Sequence, residues 1–222
     1  MTTQALFAWP PQAAVGRAVA KSKIYAHAKP RAALRALFAA QVESIIWAYK
    51  LSPETVNLAA KPAVPEIEVF EVTLKIPEIN HSILRCIDKA IPFPILFNLR
   101  FDGHTQAVAA YKRPSGAAND QWVVGDYHSM PWHSDHLTRP GLPVALDLQG
   151  LYEQLLRQHF ALPPRPSERL NDQLDRLATL MAKQATAAKI ETRLNAEKQF
   201  NRKVVLNAQL RTIRKELESL KG

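Results

Sequence analysis

The sequence predicts an α+β protein. A mostly antiparallel sheet, running strand, helix and three-strand meander, carries packed helices and is followed by a long coiled-coil-like C-terminal helix. Three observations point there. Apolar and polar residues alternate through EVFEVTLK, Asp102-Gly103 separates two strand-like runs, and from residue 168 onward there is no proline and no glycine before Gly222.

Residues 1–20 are rich in Ala and Pro, and Pro10 and Pro11 fix an extended stretch, so an arm lying on the domain or fraying from it is expected. In RAALRALFAAQVESIIWAYKL the apolar residues Leu34, Leu37, Phe38, Val42, Ile45, Ile46 and Tyr49 recur at helical spacing, which predicts one helix stopped by Pro53. In EVFEVTLK, Phe70, Val72 and Leu74 share one face and Glu71, Thr73 and Lys75 the other, the pattern of a half-buried strand. Asn80 is placed to cap a helix bearing Ile83, Leu84, Ile87 and Ile91, which Pro92 and Pro94 end.

ILFNLRF and TQAVAAYK flank Asp102-Gly103, whose backbone tolerates the positive φ of a tight hairpin, and QWVVGDYHS follows the polar loop PSGAAND as a third strand. Helices are expected on one face of this sheet, with the other open. Asp147 can cap a further helix carrying Leu148, Leu151, Tyr152, Leu155, Leu156 and Phe160. The run LPPRPS then breaks the chain, dividing it into an α+β domain with its arm, residues 1–165, and a helical tail, residues 166–222.

The tail is built from good helix formers, so about fifty residues predict one helix on the order of 80 Å long that needs a partner. Leu170, Leu174, Leu177 and Met181 form one seam, and Leu206, Leu210, Ile213, Leu217 and Leu220 another. Between them Ile190, Leu194 and Phe200 do not carry the first register into the second. A continuous helix with a stutter and a helical hairpin are both open, and the absence of turn residues favours the continuous helix. The tail is expected to pair with itself or with another protein.

With 47% hydrophobic residues the chain can build a core, and its single cysteine excludes an intrachain disulfide framework and a Cys-based zinc site. No signal-peptide pattern or membrane-length apolar run is present, so a soluble cytoplasmic protein is expected. The net charge is +9 and the pI about 9.8. Residues 166–222 hold 12 Lys and Arg against 7 Asp and Glu, and residues 1–165 hold 17 against 13, so the tail is the more basic part per residue.

Four residues of YHSMPWHSDH, His128, His133, Asp135 and His136, offer imidazole and carboxylate ligands to a divalent metal, although their spacing matches no metal motif. No Glu-any-Lys or Asp-any-Lys triplet of a restriction-type nuclease occurs, and Glu71 and Lys75 are too far apart to replace it. Cys86 reads as a buried small residue, and no nucleophile elbow, phosphate-cradling loop or dinucleotide fingerprint appears. No catalytic residue is assigned and no cofactor is predicted. Phosphate contacts are expected of Lys21 and Lys23 beside Tyr25, of Lys112 and Arg113 beside Tyr111, and of Arg202, Lys203, Arg211 and Arg214 on the tail. Basic residues that merely flank a helix seam give the same pattern.

The strings WAYKLSPETVNL, ILRCIDKAIPFPILF and AVAAYKR, in that order ahead of a polar helical tail, resemble an uncharacterised bacterial family. Its members are encoded beside DNA methyltransferase and superfamily-2 helicase genes of loci like type III restriction-modification or phage defence. The resemblance implies a non-enzymatic accessory or scaffolding subunit, with DNA, a helicase or a methyltransferase as partner. A metal-dependent nuclease or phosphoesterase using loop 128–136 and a purely structural oligomerisation module are the alternatives.

Overall fold

The computed structural model describes residues 6–115 and 122–222. Most of the loop PSGAAND, Gln121 of the third meander strand and the first five residues of the expected arm lie outside them. The chain divides into two compact units, residues 1–159 and 160–222.

The first unit opens with a short turn at Pro11–Ala13 and strand β1 (Ala14–Ala18), then helices α1 (Lys21–Ala28) and α2 (Ala32–Gln41). Strand β2 (Val42–Leu51) leads through the one-turn helix α3 (Pro53–Val56) to β3 (Ile67–Leu74), and helix α4 (His81–Ala90) connects β3 to β4 (Ile95–Phe101). Strands β5 (His104–Pro114), β6 (Trp122–Ser129) and β7 (His133–Ser134) and helix α5 (Leu148–Arg157) complete it. The strands lie in sequence order from β1 to β6, with β7 paired to β5. All neighbours are antiparallel except β3 and β4, which α4 joins as a crossover.

The predicted α+β layout, meander and caps are present. Asn80 accepts from the Ser82 amide at 2.9 Å and Asp147 from the Gly150 amide at 2.8 Å. At the β4–β5 turn Asp102 and Gly103 have φ of 46° and 70°, the left-handed geometry such a turn demands. A methyl group at residue 103 would meet nothing within 4 Å, so only backbone strain opposes it. Gly103→Ala is therefore expected to cost about 1 kcal/mol in denaturant unfolding. A change below a few tenths would show that the turn relaxes freely.

One long prediction is corrected. The helix read through residues 31–51 ends at Gln41, and Val42–Leu51 is a strand. Register shifts between Val42 and Ser44 and between Trp47 and Tyr49 each set an extra residue against β3. The buried positions therefore fall at Val42, Ile45, Ala48 and Leu51, every third residue, which imitates a helical stripe.

Helices α1, α2 and α4 share a core with one face of the sheet, in which Ile24, Phe38, Ile83 and Ile87 meet Phe70, Val72, Phe97 and Leu99. The opposite face is not left open as expected. There Leu155 of α5 and His159 just beyond it line a small cavity with Leu96, Asn98 and Ala107. The Tyr152 hydroxyl donates to the Ala110 carbonyl and accepts from the Lys112 amide, both at 3.0 Å.

In the second unit the expected continuous helix is instead two, α6 (Leu170–Ala196) and α7 (Phe200–Lys221), folded back as an antiparallel hairpin. Lys183 pairs with Glu216 at 2.7 Å and Arg214 with Glu191 at 2.8 Å. The break needs neither glycine nor proline. Glu197 takes an extended backbone, and its carboxylate accepts from the Lys198 and Gln199 amides at 2.8 and 2.9 Å, satisfying donors where α7 begins.

Ala187 and Ile190 pack with Leu206 and Leu210, flanked by Leu194, Ile213 and Leu217, so the second predicted seam finds its partner within the chain. The first seam has a different register. Leu170 and Leu177 are buried, but Gln173 and Leu180 take the inward places expected of Leu174 and Met181, and Met181 is 58% exposed. Arg176 donates to Glu168 and to the carbonyls of Pro163 and Leu220, and holds the Glu168 carboxyl down to about 2. Among the described residues no helix is long and apolar enough to cross a membrane.

Candidate nucleic-acid interface

Six lysines and arginines, Arg17, Lys21, Lys23, Lys29, Arg31 and Arg35, precede the first acidic residue of the chain, Glu43. Folding gathers most of them on one side. Helices α1, α2 and α4 bury their apolar faces on the sheet and turn Lys23, His27, Arg35, His81, Arg85 and Lys89 outward. Spacings of four residues place Lys23 with His27 on α1 and His81, Arg85 and Lys89 in one row on α4. Lys29 and Arg31, exposed in the α1–α2 connection, extend the basic surface.

The only acid in these helices, Asp88, is buried. Its carboxylate meets the Lys112 ammonium at 3.2 Å and accepts from the Tyr127 hydroxyl. Among the described residues, none of Lys23, Lys29, Arg31, Arg35, Arg85 and Lys89 is ion-paired. Their field adds across the surface, the arrangement that draws a polyanion and releases its counterions.

A cleft of about 810 Å³ opens at the C-terminal end of α4, lined by His27, Arg85, Lys89, Pro92, Trp122 and Val124 among others. The Arg85 guanidinium fixes one wall by donating to the Val124 and Gly125 carbonyls at 3.0 and 2.9 Å, and it lies 5.4 Å from the Tyr127 ring centre. Under the floor, Lys112 donates to the carbonyls of Asp88 and Ile91 at 2.6 and 2.5 Å and stands 5.8 Å from the Trp122 ring centre. Those bonds satisfy the end of α4 and leave the rim cations as the groups facing solvent.

The sequence matches the family described as a domain of unknown function, DUF4391, over residues 7–217. The chain belongs to the DUF4391 family. Comparison with curated proteins and with solved structures returns no match.

In this DUF4391 chain the residues predicted for phosphate contact separate into three groups. Lys23 and Arg113 are exposed. Lys21 donates to the Phe38 and Val42 carbonyls at 3.2 and 2.6 Å and so closes the end of α2, where its pKa is lowered by burial and by Lys75. Lys112 is 1% exposed, and no phosphate reaches it. On the hairpin Lys203 and Arg211 are exposed, Arg214 is paired with Glu191, and Arg202 lies 3.9 Å from Glu197.

The residues proposed as metal ligands are dispersed by the DUF4391 fold. His128 sits on β6 opposite Ala109, His133 on β7 opposite Thr105, and His136 is exposed. Asp135 accepts from Arg100 at 3.0 Å, from Thr105 at 2.5 Å and from Arg139 at 3.4 Å, contacts that hold its pKa down against burial and anchor the loop to the sheet. Among the described residues no three His, Cys, Asp or Glu side chains come together to hold a metal ion. Cys86 is buried, and burial raises its thiol pKa, the reverse of a reactive thiolate.

Sequence reading missed His27, Arg31, Arg35, Arg85, Lys89 and Trp122. Two signals were present: the acid-free stretch before Glu43, and the row His81, Arg85 and Lys89 opposite the apolar face of α4.

Proposed function

We propose that the protein is a non-enzymatic accessory subunit that holds nucleic acid on its basic helical surface. The carrying observation is that six exposed lysines and arginines of α1, α2, α4 and the α1–α2 connection stand without an ion-pair partner among the described residues, while the one acid within those helices is buried against Lys112. The resemblance to a family whose members are encoded in loci like type III restriction-modification or phage defence agrees with this role. In such a system a helicase or DNA methyltransferase supplies the chemistry and this chain supplies hold on the DNA.

Binding to a labelled DNA across a salt series tests the reading. Affinity is expected to fall with salt at a log–log slope of about 0.7–0.9 per phosphate contacted. Replacing Lys23, Arg31 and Lys89 together by Glu should weaken binding on the order of 10- to 100-fold at low salt and flatten the slope. Replacing Arg211 and Lys215 on the hairpin by Glu should change affinity by less than about 3-fold, since few of the phosphate contacts lie there. Binding that is absent, or that is lost with the hairpin changes and kept with the others, overturns it.

A further inference from the structure

We infer that the cleft at the end of α4 takes an unpaired nucleobase, so that the surface around it prefers single-stranded to duplex nucleic acid. This rests on the nucleic-acid reading and adds the class of ligand to it. The cleft combines two chemistries that a single strand presents together. Trp122 forms part of its wall, an indole face on which any base stacks, and Arg85 and Lys89 line it with charge for the backbone, beside the His27 ring.

Duplex recognition asks for something else, a helix or ribbon that protrudes into a groove or a surface that tracks paired backbones. The cleft is concave, and its volume of about 810 Å³ exceeds what a phosphate alone would fill. It is also built to keep its shape. Arg85 ties α4 to β6, and Lys112 ties the end of α4 to β5 beneath Trp122. The buried carboxylate of Asp88 already has Lys112 and Tyr127 as partners, so its charge does not repel an incoming strand as a free acid would.

The test compares an oligothymidylate of about 16 nucleotides with a duplex of equal length, at one low salt concentration, on the full chain. The native protein should favour the single strand, and adding it should quench indole fluorescence. Trp122→Ala should weaken single-strand binding about 10- to 100-fold, while Trp122→Phe, which keeps a ring face, should stay within about 3-fold of native and lose most of the quenching. Thermal melts of both variants confirm that they fold. Equal affinity for both ligands, or a folded Trp122→Ala protein that binds the single strand like the native one, overturns the inference and leaves the salt-dependent surface standing. Failure to bind either ligand overturns the inference and the function it rests on together.

Discussion

Replacing Lys112 by Ala is expected to destabilise the first unit by about 3–5 kcal/mol, the usual cost of leaving one member of a buried ion pair alone. Lys112 and Asp88 are 1% and 3% exposed, and burial lowers the lysine pKa and raises the aspartate pKa. Each charge is disfavoured by its surroundings and kept by its partners. The ammonium donates to the Asp88 carboxylate and to two carbonyls at the end of α4, and Tyr127 donates to the other carboxylate oxygen. Removing the ammonium strands the carboxylate and opens the end of α4 in one step.

In a thermal melt the Lys112→Ala loss corresponds to a fall in Tm on the order of 10 °C for a unit of this size. Changing both partners, Asp88→Leu with Lys112→Met, should recover most of it, because a well-packed apolar pair avoids the desolvation cost. A single Lys112→Ala change costing under about 1 kcal/mol would mean that water reaches the site and that the pair is not the clamp described.

The same lysine marks where sequence reading stops. Beside Tyr111 and Arg113 it looked like a surface cation at the end of a strand. Strand alternation instead sets it on the same face as Val108 and Ala110, against the end of α4, and nothing in its residue type announces a buried ammonium. Bulges hid β2, by spacing its buried residues in threes. Features set within one continuous stretch of chain were legible, including the Asp102-Gly103 turn, the Asn80 and Asp147 caps and the second apolar row of the tail.

The break at residues 197–199 was not legible, because a glutamate side chain does there what glycine or proline usually signals. The candidate surface was half visible. Lys23 stood out beside Tyr25, but Arg35, Arg85 and Lys89 join it only once α1, α2 and α4 are laid on the same face of the sheet, a relation between segments some fifty residues apart.

His159 is expected to make the fold sensitive to mild acid. Its ring is buried just beyond α5, Nδ1 lies 3.0 Å from the Leu155 carbonyl, and burial, with a smaller contribution from His128, lowers its pKa to about 4. The unfolded chain protonates this ring near the ordinary value of about 6.5. Because the folded value is the lower one, stability is fully present above 6.5 and is lost as pH falls towards 4, by about 3 kcal/mol at most.

Glu68 acts in the opposite sense. Burial, then its hydrogen bond and charge interaction with Glu66, raise its pKa to about 8, so its contribution is full below about 4.5 and is lost as pH rises through 8. The two effects partly cancel in the native protein, so the measurement is a difference. Urea unfolding of the native chain and of His159→Gln at several pH values between 4 and 7.5 should give two curves. The native protein should lose stability relative to the variant as pH drops below 6.5, and the gap should stop changing near 4. Parallel curves over that interval would show that the His159 ring takes up its proton in the folded state as readily as in the unfolded one. Glu68→Gln should remove the opposing loss between 4.5 and 8 and leave the acid limb intact. The histidine and the glutamate can then be assigned separately from one set of unfolding curves.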